Sequence, residues 1–82
     1  MKIYEIKFKK QALKFIKSRT AKEQMRLTNA IYKLPYAGDI VKMEGFSNRY
    51  RLRVGGVRIQ YEKHDDVYII LVVRADNRGD AY

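Results

Sequence analysis

The side chains with the clearest chemistry are four arginines within one short segment. They are Arg49, Arg51, Arg53 and Arg58. The first three alternate with apolar residues, so they are expected to share one face of a β-strand. A guanidinium group is a planar fork of donors that matches a phosphate group, whereas an ammonium acts as a point charge. This spacing therefore indicates a face that holds a phosphate backbone, and we expect that backbone to be RNA.

Two glycines between the third and fourth arginines determine how these side chains meet. Gly55 and Gly56 are suited to a two-residue hairpin turn, because glycine tolerates positive φ. The resulting register places Arg53 directly opposite Arg58. Like charges at such positions destabilise a ladder by roughly 0.2–1 kcal/mol, so the pair favours an anion bound between the two groups. The alternative interpretation is a solvated, charged sheet face.

Composition narrows the class of protein. The 82 residues carry 18 Lys and Arg against 9 Asp and Glu, a net charge of +9. Nucleic acid, an anionic membrane surface or an acidic protein would each be attracted to such a chain, and solubility alone is the competing explanation. The absence of cysteine excludes a disulfide framework, a cysteine zinc site and a thiol nucleophile. No spacing of His, Asp and Glu suggests a metal, and we expect no cofactor.

No targeting or membrane segment is recognisable. The first residues, MKIYEIKFKK, alternate charged with apolar side chains and lack the apolar core of a signal peptide. No run approaches the ~18 apolar residues of a membrane span. We therefore expect a cytoplasmic protein that forms a single domain over residues 1–82.

Hydrophobic periodicity predicts the elements that position the arginines. Residues 2–8 alternate as a half-buried strand, and a helical stripe follows from residue 9. Thr20 and Glu23 form a capping box that begins a second helix, which Pro35 ends. The rest favours strands, at 39–44 (weak), 48–54, 57–63 and 67–73, with a turn at 64–66 and a polar tail at 74–82. We expect an α+β fold, with an N-terminal strand, a two-helix hairpin and an antiparallel sheet of three to four strands that carries the helices on one face.

Two further side chains invite a chemical interpretation. His64 is the only histidine and stands in the predicted turn, where a solvated imidazole is the more common outcome. Tyr82 ends the sequence and is not explained by packing. It could stack on a base or act near a phosphate, and the alternative is a frayed terminus.

Three stretches together resemble a known family. They are Lys42 to Gly45, YRLRVGGVRIQYE (50–62) and VVRADNRGDAY (72–82). Together with the basic strand–helix–helix start, they resemble the RelE/ParE superfamily of bacterial type II toxins. The resemblance implies a compact fold related to microbial ribonucleases. For RelE-type members it also implies a ribosome-dependent endoribonuclease, which cuts mRNA in the A site by metal-independent attack of a 2′-hydroxyl on the adjacent phosphate.

The resemblance also implies roles for particular residues. The family's basic pair on the first hairpin strand corresponds to Arg51 and Arg53, which would orient the mRNA backbone. Arg58 and Arg78 would stabilise negative charge in the transition state. Tyr82 would stack on a base or help in proton transfer. The remaining expected phosphate contacts are Arg49 and Arg74.

One departure from the family leaves the general base open. The best-known members carry lysines where this chain has Arg51 and Arg53. An arginine, with a pKa above ~12, does not lose its proton and cannot act as a base. Four candidates remain, namely Tyr82, Glu62, Asp80 and His64.

The resemblance implies partners as well. They are an acidic antitoxin, mRNA in the A site of the 30S ribosomal subunit, and operator DNA only through the antitoxin, with no membrane. Two alternatives stay open. One is a ParE-like toxin that inhibits gyrase and cuts no RNA, and the other is an inactive module that only binds an antitoxin.

Overall fold

The computed structural model describes residues 2–77, so the expectations for Arg78, Asp80 and Tyr82 lie outside the described residues. Two helices and five strands follow one another along this part of the chain. They are β1 (Glu5–Phe8), α1 (Lys10–Lys17), α2 (Ala21–Tyr32), β2 (Asp39–Lys42), β3 (Arg49–Val54), β4 (Val57–His64) and β5 (Ile69–Asn77). The predicted α+β class is confirmed.

The five strands form one mixed sheet in the order β1-β5-β4-β3-β2. Strand β1 pairs with β5 in parallel, with Glu5 beside Ile69, while the other pairs are antiparallel. We expected three to four antiparallel strands, and the sheet is larger because the N-terminal strand joins its edge. Parallel strands need a crossover connection, which the chain from α1 to β4 supplies between β1 and β5.

The last strand begins later and continues further than the sequence predicted. Residues 67 and 68 belong to the turn after β4, where Tyr68 has a φ of 53°. The expected polar tail is strand as far as Asn77. Two pairings with β4 explain this extension, because Ala75 is fully buried beside Ile59 and Asp76 lies opposite Arg58. The predicted turn at His64 is also wrong, since this residue ends β4.

The hairpin of β3 and β4 has the register that the glycine turn predicted. Arg53 lies opposite Arg58, and Leu52 lies opposite Ile59. Gly55 has a φ of 58°, a conformation that side chains other than glycine seldom adopt. The chain therefore turns sharply here without strain, and the arginine positions of the two strands are fixed relative to each other.

Half of the predicted capping box of α2 is present: the Thr20 side chain caps the helix, but within residues 2–77 the Thr20 amide makes no hydrogen bond to the Glu23 carboxylate. The backbone N–H of Glu23 donates to the Thr20 side-chain oxygen at 3.2 Å. This bond satisfies one of the amides that have no partner within the first turn of a helix. It fixes where α2 begins and so how its apolar face meets the sheet.

Both helices contribute to a core that lies on one face of the sheet. Its fully buried members are Ala12, Leu27, Ile31, Leu52, Ile59, Tyr61, Ile70, Val72 and Ala75. Because side chains alternate across a strand, burial of one face directs the intervening residues to the other face. That second face carries the arginines. No helix within residues 2–77 is long and apolar enough to cross a bilayer.

Candidate nucleic-acid interface

The face of the sheet that is not covered by helices brings together five of the arginines predicted to bind phosphate. Directly opposed residues of a ladder share a face, so the cross-strand pairs define its membership. Its charged and polar members in β2 to β5 are Asp39, Arg49, Arg51, Arg53, Arg58, Gln60, Glu62, His64, Arg74 and Asp76. We call this surface the open face.

Arg53 is engaged by a carboxylate on the neighbouring edge strand. Its Nε donates to Asp39 Oδ2 at 3.1 Å and its Nη2 to Asp39 Oδ1 at 3.0 Å. This bidentate pair raises the pKa of Arg53, mainly through the hydrogen bonds. A carboxylate thus occupies the guanidinium fork in the way that a phosphate would.

Arg58 is directed towards a second carboxylate, on β5. Its Nε lies 3.9 Å from Asp76 Oδ1, and the other oxygen of Asp76 accepts from Arg74 Nε at 2.9 Å. The Arg58 side chain is only 16% exposed, whereas that of Arg74 is 58% exposed. Asp76 therefore sits between a sheltered guanidinium and one in solvent.

A small pocket opens between the two opposed arginines. It has a volume of ≈ 150 Å³ and is lined by Asp39, Arg53, Gly55, Val57 and Arg58. Both arginines line it, as an anion held between them would require. The anion itself stays a prediction.

Arg51 differs from the other arginines of the hairpin because no carboxylate of the described residues lies near it. It lies opposite Gln60, and its Nε is buried without a hydrogen-bond partner. No carboxylate of residues 2–77 lies within 4 Å of its guanidinium nitrogens. An incoming phosphate would therefore not have to displace a carboxylate from Arg51, unlike from Arg53.

A chain of three polar side chains crosses the open face at its other end. Arg49 Nη2 donates to Glu62 Oε2 at 2.8 Å, and Glu62 Oε1 lies 2.9 Å from His64 Nε2. Hydrogen bonds from Arg49 and then His64 hold the pKa of Glu62 below its usual value. Both oxygens of Glu62 are engaged, which makes this carboxylate a poor general base. The second ring nitrogen of His64, Nδ1, is not used in this contact with Glu62.

One residue of this region was not among the predicted site residues. The Phe46 ring, 45% exposed, lies under the Arg49 guanidinium with 4.5 Å between the Cζ atom and the ring centroid. No specific signal in the sequence pointed to Phe46, because single exposed hydrophobic residues are common on protein surfaces.

The described residues show no cluster suited to a metal. Within residues 2–77 there is no group of three or more His, Asp or Glu that could hold an ion.

Solved structures of known proteins share this architecture. RelE in the archaeal RelE–RelB complex from Pyrococcus horikoshii is 26% identical, with a TM-score of 0.81 over 95% of this chain and 98% of that chain. The RelB–RelE complex from Methanococcus jannaschii gives 29% identity and a TM-score of 0.75 over 93% and 94%. The isolated E. coli RelE toxin gives 19% identity and 0.76 over 90% and 83%.

The resemblance to RelE toxins is thus confirmed by the fold over nearly the whole chain. No protein-family model matches the sequence, and no curated protein matches it. The likeness therefore rests on three-dimensional structure, and the roles of individual residues rest on their geometry.

Proposed function

We propose that this chain, which has the RelE fold, is the toxin of a type II toxin–antitoxin pair and a ribosome-dependent endoribonuclease that cleaves mRNA. One observation carries the proposal. Arg53 and Arg58 line one small pocket, and Arg51, two residues along β3 from Arg53, has no carboxylate of residues 2–77 within 4 Å of its guanidinium nitrogens. Three guanidinium groups at this spacing suit a phosphodiester backbone.

The proposed reaction needs only a phosphate, a neighbouring 2′-hydroxyl and charge stabilisation. The 2′-oxygen attacks the phosphorus and loses its proton to a base, while the bond to the 5′-oxygen breaks and that oxygen takes up a proton. The products are a 2′,3′-cyclic phosphate and a 5′-hydroxyl. Arg58, sheltered beside Asp76, would stabilise the extra negative charge on the phosphate oxygens, together with Arg78.

The proton acceptor is a separate question from the phosphate site. Arginine cannot serve, and Glu62 is engaged by both of its oxygens. His64 Nδ1, Tyr82 and Asp80 are the remaining candidates. An oriented imidazole is the usual general base of enzymes, and its Nε2 contact with Glu62 would fix the ring.

The carboxylates beside the arginines do not argue against RNA binding. Arg53 and Asp39 are both well exposed, with side chains 46% and 59% accessible, and exposed ion pairs contribute little to stability. A phosphate carries a full charge and is followed by further phosphates along the strand. It can therefore displace a single exposed carboxylate from the fork while the other contacts hold the backbone.

We propose a cognate antitoxin with an acidic segment as the protein partner, and operator DNA would be reached only through it. The similar archaeal structures are complexes of RelE with RelB. On α1 of this chain an open groove of ≈ 430 Å³ is lined by Lys10, Leu13, Lys14 and Lys17. Three lysines around one exposed leucine fit an acidic segment that folds on binding.

The test is primer extension on a translated mRNA after the chain is induced in cells. We expect new 5′ ends within codons of the translated region, and none when translation initiation is blocked. Intact mRNA together with signs of DNA damage would instead support gyrase as the target. Unchanged growth with intact mRNA would indicate an inactive binding module.

A further inference from the structure

We propose that Phe46 and Arg49 form a subsite that stacks one unpaired nucleobase of the RNA. This inference rests on the proposed function and adds to it the source of base preference. Phosphate contacts position a nucleic acid but carry no sequence information, so a base preference needs a separate contact. Phe46 and Arg49 are placed to make that contact.

The aromatic platform is exposed on the appropriate side of the molecule. The Arg49 guanidinium lies 4.5 Å from the centroid of the Phe46 ring, which remains 45% exposed. Arg49 belongs to the open face, two residues along β3 from Arg51. At a rise of ~3.3 Å per residue their Cα atoms are about 7 Å apart, so the platform would serve a nucleotide next to the phosphate at Arg51.

The space beside the ring is large enough for a base. An open depression of ≈ 360 Å³ is lined by the loop from Lys42 to Phe46. Ligand sites are commonly clefts of roughly 300–1,000 Å³, so this one is at the small end, where a single planar ring system fits. Unpaired bases are recognised by stacking on aromatic rings and on guanidinium planes, and both kinds of surface meet here.

The platform is held in place before any ligand arrives. Glu62 fixes the Arg49 guanidinium at 2.8 Å, and His64 in turn contacts Glu62 at 2.9 Å. Because stacking strength increases with ring size, we expect purines to be favoured over pyrimidines.

The experiment compares the wild type with Phe46→Ala and Phe46→Leu. The matched control is Tyr32→Ala, which removes an aromatic side chain of 63% exposure from α2. Each protein is titrated with short single-stranded RNA that carries 2-aminopurine, and with the same strand lacking that base. Circular dichroism establishes that each variant is folded.

The subsite predicts a loss of affinity that depends on the base. Both Phe46 variants should bind the base-containing strand roughly 5- to 100-fold more weakly, which corresponds to stacking of one base, and should lose its fluorescence quenching. The strand that lacks the base should bind all proteins equally. Tyr32→Ala should behave like the wild type with both strands.

Three outcomes would overturn the inference. In the first, Phe46→Ala binds the base-containing strand as tightly as the wild type does. In the second, Phe46→Ala loses as much affinity for the strand that lacks the base as for the strand that contains it. In the third, Phe46→Ala binds RNA normally but no longer binds an acidic antitoxin segment. The last result would make Phe46 a protein-docking residue.

The cleavage assay separates the two proposals. If the wild type cuts mRNA and Phe46→Ala has the same cut sites and base preference, only the subsite is wrong, whereas no cutting by the wild type contradicts the function itself.

Discussion

Arg53 and Arg58 lie directly opposite each other on β3 and β4, yet their guanidinium groups are drawn to two different carboxylates. Asp39 engages Arg53 from one edge strand and Asp76 approaches Arg58 from β5. The repulsion expected between opposed like charges is therefore offset in the free protein by carboxylates that flank the pair. The same two arginines still border one pocket, so a bound phosphate would add to a preformed site.

Replacement of Arg58 by alanine should abolish toxicity and lower the rate of mRNA cleavage by roughly 10²- to 10³-fold, as for loss of one donor to a transition-state oxyanion. Arg58→Lys should recover part of this activity because it restores the charge without the fork. Growth after induction and single-turnover cleavage provide the measurements. Lys22→Ala on α2 removes one positive charge away from the open face and should remain toxic, and full toxicity of Arg58→Ala would contradict the proposed role.

Replacement of Asp39 by asparagine should strengthen RNA binding, because the fork of Arg53 then has no competing carboxylate. Binding of a short single-stranded RNA, measured by fluorescence anisotropy at several salt concentrations, tests this. Thermal unfolding should change little, since both partners are well exposed. Weaker binding by Asp39→Asn would mean that Asp39 orients the guanidinium instead of competing for it.

Arg51 should make a direct contact with one phosphate. Arg51→Ala is then expected to reduce the slope of log affinity against log salt concentration by about 0.7, the value for one phosphate on a single strand. Removing the buried Nε, which has no partner, should not lower the melting temperature. An unchanged salt dependence would place Arg51 outside the phosphate contacts.

The Glu62 carboxylate should make stability depend on pH. Its pKa is lowered in the folded protein by Arg49 and His64, from an ordinary value of 4.5. Its stabilising contribution is therefore complete above that value and is lost as the pH falls below it, through the lowered pKa. Relative to Glu62→Gln, the wild type should be more stable by about 1 kcal/mol or less at neutral pH, and this difference should vanish in acid. Chemical unfolding at several pH values gives the comparison, and a pH-independent difference would contradict it.

The cap of α2 should matter for stability but not for activity. Thr20→Ala removes the acceptor of the Glu23 amide and should lower the free energy of unfolding by about 1 kcal/mol. Thr20→Ser should restore most of the loss, because serine presents the same oxygen. Thermal unfolding measures the effect, and RNA binding is expected to stay unchanged because the cap is remote from the open face.

The hairpin was predictable because two local signals agreed. Strict alternation assigned each side chain to a face, and the glycine turn fixed the register that places Arg53 opposite Arg58. The parallel pairing of β1 with β5 was not predictable, because it depends on how the helices return the chain and not on any local pattern. Residues 74–77 were mistaken for a tail because their polar members belong to the open face.

The positions of the arginines in the site could be predicted, but their carboxylate partners could not. The sequence places the arginines on one face, but Asp39 and Asp76 come from strands that meet β3 and β4 only in the folded sheet. Phe46 was missed for a related reason, since its stacking on Arg49 depends on the path of the loop after β2. The partners of the arginines are thus determined by pairing between strands, which the sequence of one strand does not reveal.

The parallel pair of β1 and β5 also bears on when the molecule can act. Strand β5 lies between β1 and β4, so β1 is not joined to the rest of the sheet until β5 is in place. Asp76, which approaches Arg58, belongs to this same strand. During synthesis from the N-terminus, a chain that stops before β5 lacks the strand that joins β1 to β4. If the proposed cleavage of mRNA is correct, it should therefore begin only after β5 has been synthesised.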